Sequence, residues 1–110
     1  MANTFTRSTS QNIGATATHV GAYTVPSSTT TIVIGLTCTN TTGSAITANV
    51  YLANATANTY IVANAPISSG ASLIPVGGDQ KIVMITGDKM YVQSSAATSI
   101  DTVMSIMEIT

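Results

Sequence analysis

A chain of 110 residues is the size of one domain with one modest core and is too short for two. Its apolar share of 45% is ordinary for a folded protein, whereas charged residues make up only 6%, against the roughly 25% usual in soluble domains, and the net charge is −1. This composition argues against intrinsic disorder, the three scattered cations argue against a nucleic-acid partner, and no apolar run approaches the roughly 20 residues of a membrane-spanning helix.

A surface built mainly from Thr, Ser, Asn and small apolar residues repels its neighbours weakly, so association with copies of itself or with other subunits is the first functional expectation. The opening residues 1–12 are polar, with Phe5 and Arg7 as anchors. They are expected to be a flexible terminus or an arm lying across a neighbouring subunit, with Phe5 in a pocket and Arg7 paired to a carboxylate. This opening lacks the cationic segment and apolar stretch of a secretory signal, so no export is expected. Residues 13–110 are expected to form a single domain.

In that domain, short β-branched segments separated by Gly, Ser, Asn and Pro predict an all-β fold, an antiparallel β-sandwich or jelly-roll-like small barrel of about seven to eight strands. Residues 31–40 read as a strand with Ile32, Ile34, Leu36 and Cys38 on its core face. After the turn residues 41–44, alternation resumes over 46–52 with Ile46, Ala48, Val50 and Leu52, and the two segments read as a hairpin. The connector 54–58 leads to a strand over 59–67 that is partly apolar on both faces, where Pro66 limits central pairing. Turns at 68–70 and 76–79 precede strands over 81–85 and 89–94, joined by Gly87 and Asp88. In residues 99–109, Val103, Ile106 and Met107 would fit a helical stripe, but the wealth of Ile, Val and Thr and the missing cap predict a strand. Apolar residues occupy both its faces, with Ile100, Met104 and Ile106 on one and Val103, Met107 and Ile109 among those left over. Such a strand is either central in a sandwich or covered by a neighbouring subunit.

Catalysis needs convergent acid–base, nucleophilic or metal-ligating groups, and here they are few. His19 is the single histidine and reads as an exposed or edge-strand residue. Cys38, in phase with apolar neighbours, reads as a buried inert thiol. Asp79 and Asp88 follow glycines in turns, where such side chains bond their own backbone, and nothing in the spacing of the acids demands a carboxylate pair or a calcium loop. No catalytic residue, metal site or cofactor is therefore assigned. A glycan-binding module is a competing expectation, but Trp is absent, and Tyr23, Tyr51, Tyr60 and Tyr91 are expected to fill the sandwich or an interface. The acceptor patterns at Asn40 and Asn54 read as chance matches in a Thr-rich chain.

The runs Tyr-Thr-Val-Pro from Tyr23, Thr-Ile-Val-Ile-Gly-Leu-Thr-Cys-Thr-Asn to Asn40 and Tyr-Ile-Val-Ala-Asn-Ala-Pro-Ile-Ser-Ser-Gly-Ala-Ser-Leu from Tyr60 resemble small β-sandwich virion proteins of tailed bacteriophages. So does Gly-Asp-Gln-Lys-Ile-Val-Met-Ile-Thr-Gly-Asp-Lys-Met-Tyr-Val-Gln-Ser-Ser, in which Gly87 and Asp88 introduce the strand Tyr91–Ser95. The resemblance implies a virion component assembled in the bacterial cytoplasm, a head decoration or cement protein that sits as a homo-oligomer, a trimer for preference, on the major capsid protein or other virion subunits. A tail, neck or fibre-associated subunit is the alternative. The expected subunit contacts are Phe5, Arg7, Val103, Met107 and Ile109.

Overall fold

Period-two alternation of apolar residues runs through most of the chain. In the computed structural model, which describes residues 2–110, every regular element is a strand. The strands are β1 (Asn3–Ile13), β2 (Thr18–Thr24), β3 (Thr30–Asn40), β4 (Ile46–Ala53), β5 (Asn58–Ile67), β6 (Ser72–Val76), β7 (Ile82–Met84), β8 (Lys89–Ser94) and β9 (Ile100–Ile109). They form two packed antiparallel sheets. Sheet A has the order β1-β9-β3-β6, with β7 also on β3, and sheet B has the order β2-β8-β4-β5.

The pairings are nested: β1 lies on β9, β2 on β8, β3 on β6 and β7, and β4 on β5. A doubled chain rolled into two sheets in this manner is a jelly roll, with β6 and β7 sharing one strand position along β3. The expected β-sandwich is the fold. The core between the sheets is built from Val33, Leu36, Cys38, Met104 and Ile106 of sheet A against Val20, Val50, Met90 and Val92 of sheet B, all fully buried.

Three details differ from the sequence-based reading. Residues 31–40 and 46–52 are not a hairpin: β3 belongs to sheet A and β4 to sheet B, so residues 41–45 carry the chain across one end of the sandwich from an interior strand of one sheet to an interior strand of the other. The buried face of β3 also changes phase. Thr31, Val33, Leu36, Cys38 and Asn40 point inward while Ile32 and Ile34 point outward, because the pairing with β9 slips between Val33 and Gly35. One extra residue in a strand turns everything beyond it to the other face. Finally, the segment expected to be a terminus or arm is largely strand β1, held on β9 of the same chain with Asn3 opposite Ile109 and Ser10 opposite Thr102. The last segment is a strand, as its composition predicts, and it lies between β1 and β3.

Candidate assembly surface

The side chains of sheet A that point away from the core form a surface with little charge. Cross-strand partners share a face, so the register places Phe5 beside Met107, Met107 beside Ile32, and Ile32 beside Val83, an apolar row across β1, β9, β3 and β7. On one side of this row Ile109 stands between Asn3 and Thr30. On the other, Val103 pairs with Thr9 and Thr37, and Ile34 protrudes at the bulge. Phe5 is 71% exposed, Val83 58%, Ile85 63% and Val103 43%. Together with Ile74 at 62% these side chains show on the order of 500 Å² of apolar surface, at the limit that free monomers usually display.

All five expected contact residues lie on this one face: Phe5 and Arg7 on β1, and Val103, Met107 and Ile109 on β9, with Arg7 directly opposite Ser105. A shallow groove of about 390 Å³ touches two of them, Phe5 and Arg7, and is lined also by Thr6, Ile34, Ser105 and Ile106. Sequence reasoning missed Ile32, Ile34, Val83 and Ile85 as members of the face. The available signal was that residues 32–34 and 82–85 are apolar at both parities, more than one buried face can use.

The outer face of sheet B has a different chemistry. His19, Tyr91, Tyr51 and Tyr60 are mutual partners on β2, β8, β4 and β5, and their rings form a ladder across the whole sheet. Ring centroids lie 5.4 Å apart for His19 and Tyr91, 5.2 Å for Tyr51 and Tyr91, and 5.1 Å for Tyr51 and Tyr60. Three of the four tyrosines therefore stand on the surface and do not fill the sandwich. The Tyr51 and Tyr91 planes differ by only 5°, so these rings cover one another's faces, and Tyr60, 52% exposed, ends the stack. Partial burial and the neighbouring phenols push the Tyr51 hydroxyl up from its ordinary value. Beside the ladder, a cleft of about 800 Å³ is walled by the β4–β5 turn and the β7–β8 turn, with Tyr51, Tyr91, Asn58 and Lys89 among its lining residues.

Tyr23 packs against the core and its hydroxyl donates to Glu108 Oε2 at 2.7 Å, with Thr31 Oγ1 at 2.6 Å. Burial is the main cause that raises its ionisation to about 12; the Thr31 hydrogen bond opposes the rise, and the bond and charge of Glu108 reinforce it. Cys38 is fully buried beside Thr102, and burial pushes its thiol upward. His19 sits on edge strand β2 with Nε2 2.6 Å from the Tyr23 carbonyl, far in the fold from Cys38 at the centre of sheet A. Asp88 accepts from the Ile85 N–H within its own turn, as the sequence predicts. Among the described residues no three His, Cys, Asp or Glu side chains come together as a metal would require. Asn40, the first residue of an acceptor pattern, is fully buried with its amide engaged in the fold.

No protein-family model and no curated protein sequence matches the chain. Solved structures do. A chain of Bacillus endospore appendages, described as a novel family of disulfide-linked pili, superposes with a TM-score of 0.52 at 16% identity, covering 100% of this chain and 91% of that one. A chain of infectious bursal disease virus, Gx strain, superposes with a TM-score of 0.54 at 14% identity over 97% of this chain and 32% of that one. For the T13 IBDV viral particle the TM-score is 0.54 and the identity 9%, over 96% and 30% of the two chains. The chain thus spans about a third of the length of these viral chains but nearly the whole appendage chain. At such identities the likeness is one of fold.

Proposed function

We propose that this protein is a structural subunit that associates with further copies of itself through the outer face of sheet A. The observation that carries this reading is the uncharged row Phe5–Met107–Ile32–Val83 with its flanking Ile109, Ile85 and Val103. At about 25 cal/mol per Å², covering roughly 500 Å² on each of two copies gains some 25 kcal/mol gross, more than the roughly 4–15 kcal/mol that association costs. The setting we propose is a tailed-phage virion, assembled in the bacterial cytoplasm, in which a closed oligomer such as a trimer decorates the head and braces junctions of the major capsid protein. The sequence resemblance supports that setting, and the virus-particle matches are compatible with it.

A filament subunit is the second reading, favoured by the match of nearly the whole chain to the endospore-appendage chain. Buried Cys38 is the single cysteine, so a filament of this chain would be held by packing and not by disulfides. Light scattering across a concentration series tests the shared claim. An oligomer whose mass falls in Val83→Glu, with unchanged circular dichroism, is expected; a strict monomer at the highest concentration overturns it. Abundance on purified phage particles at capsomer-like copy number then supports decoration, and absence from them with presence in extracellular filaments replaces it by the second reading.

A further inference from the structure

A two-sheet sandwich has four open strand edges, and each is a row of unpaired N–H and C=O groups able to recruit another strand. Three are interrupted in this chain. The β2 edge carries left-handed residues at Gly21 and Ala22, and its pairing with β8 has no regular register between His19 and Thr24. The β5 edge contains left-handed Asn64 and Pro66, and its register with β4 slips twice. The fourth position of sheet A is split into β6 and β7, five and three residues long, with Pro75 in the first and Gly77 and Gly78 between them. Each interruption is a device that prevents edge-to-edge pairing.

Edge β1 has none of these. From Asn3 to Ser10 it pairs with β9 without a slip and without a left-handed residue, and the first irregularity comes at Asn12. Thr110 N–H donates to the Ala2 carbonyl at 3.0 Å, so even-numbered residues of β1 exchange their hydrogen bonds with β9. By the period of two, the N–H and C=O of Asn3, Phe5, Arg7 and Thr9 point away from the sheet. All four residues are exposed.

We infer that β1 pairs antiparallel with β1 of a second copy, joining two sheets A edge to edge across a two-fold axis. Such a contact is self-complementary, as two-fold contacts must be. The register follows from the residues. Pairing about Arg7 would set two guanidinium groups directly opposite each other, which is unfavourable. Pairing about Ser8 draws in the kinked Gln11–Asn12 segment. Pairing about Thr6 keeps to the straight part of the strand, forms about eight backbone hydrogen bonds and sets each Phe5 ring opposite the other copy's Arg7, a cation–π arrangement. The apolar rows of the two copies then become one surface. This contact uses the edge of the sheet and leaves its outer face free, so it can link the oligomers of the function proposed above and does not depend on them.

Single-cysteine crosslinking reads both the contact and its register. Across a two-fold axis only the central residue faces itself, and in a non-hydrogen-bonded pair the Cα separation of about 4.5 Å suits a disulfide. Buried Cys38 leaves the background clean. Under mild oxidation, Thr6→Cys is expected to give a covalent dimer as the main product, and Arg7→Cys and Ser8→Cys little. Thr9→Pro, which removes an outward N–H and leaves the ladder to β9 intact, should suppress the Thr6→Cys crosslink at least tenfold. Dominant crosslinking at 7 or 8 overturns the register, and no crosslinking at 6, 7 or 8 overturns the edge contact. If the Thr6→Cys crosslink fails while light scattering still shows an oligomer sensitive to Val83→Glu, the edge is wrong and the face stands. If the crosslink forms in a Val83→Glu background whose mass matches that of wild type, the face is wrong and the edge stands.

Discussion

Replacing Asn40 by Ala should be among the most damaging changes to a polar residue of this fold. Asn40 ends β3 with no solvent exposure, where the chain leaves sheet A for sheet B. Its amide donates to the carbonyls of Ser44 at 2.8 Å and Ile67 at 3.1 Å, and its carbonyl accepts from Thr42 N at 2.9 Å and Thr42 Oγ1 at 2.7 Å. Ile67 is 2% exposed, so its carbonyl would be left buried and unpaired, at about 1–3 kcal/mol. Ser44 is exposed and Thr42 half-exposed, so water replaces those three bonds at about 0.5 kcal/mol each. The expected loss is about 3 kcal/mol, or a fall in Tm of more than 10 °C for a domain of this size. Urea denaturation followed by circular dichroism measures it. Asn40→Asp keeps the acceptor bonds to Thr42 but turns a carboxylate toward two carbonyl oxygens, and burial raises its folded-state ionisation above the unfolded value. Its stability relative to wild type should therefore worsen as pH rises through about 4. A loss under 1 kcal/mol for Asn40→Ala, or an Asn40→Asp deficit that does not change between pH 3 and 7, would refute the argument.

Two further expectations follow from the same geometry. Tyr23 ionises at about 12 in the folded chain against 10.0 for the free phenol, so the stability it contributes is complete below about pH 10 and is lost as pH rises through the folded value. Urea midpoints measured from pH 8 to 12 should fall more steeply above 10 for wild type than for Tyr23→Phe, and parallel curves would remove Tyr23 as the cause. Gly21 has φ +58°, and a Cβ there would meet Ser8 Cβ at 2.6 Å, so Gly21→Ala should cost about 2–4 kcal/mol and loosen β1. Trypsin cleavage after Arg7 is the readout. Adding Ser8→Gly should restore the part of the protection lost to the clash and not the part lost to the backbone.

What the sequence revealed of this fold depends on where the side chains go. Strands β3, β4, β8 and β9 were visible because one face of each is buried, so alternation is written into residues such as Ile46, Ala48 and Val50. Strand β1 buries only Ile13 and is held by backbone bonds that any sequence offers, so it read as a polar tail. The phase of β3 was hidden because Ile32, Val33 and Ile34 are all apolar, and only Gly35 hinted at the bulge that settles which of them faces out. The crossing from β3 to β4 looked like a hairpin because a turn-rich connector serves either role, and the choice is made by the β3–β9 and β4–β8 pairings, which are remote in sequence. Of the residues expected as contacts, Phe5, Val103, Met107 and Ile109 share one face because apolar residues left over after a core is filled must lie on the other side of the same strands, and Arg7 joins them by being two residues from Phe5 on β1.

The scarcity of charge takes on a sharper meaning once its few members are located. Glu108 is engaged by Tyr23, Asp88 by the Ile85 N–H, Asp101 by the Asn12 N–H, and Lys81 by the Gly78 carbonyl. Most of the charges thus fasten turns and strand ends. On the outer face of sheet A, Arg7 stands on edge strand β1 between the level of the apolar row and that of Val103, and Asp101 lies beyond Val103, so the row itself carries no charge. Sheet B, whose outer face is as free of acids, covers its surface instead with stacked rings and the Asn49–Gln93 hydrogen bond. Stacked rings and paired amides on one sheet and an apolar aliphatic row on the other make the two sides of the sandwich unequal. In the association proposed above, that inequality decides which sheet meets the next copy and which faces away from it.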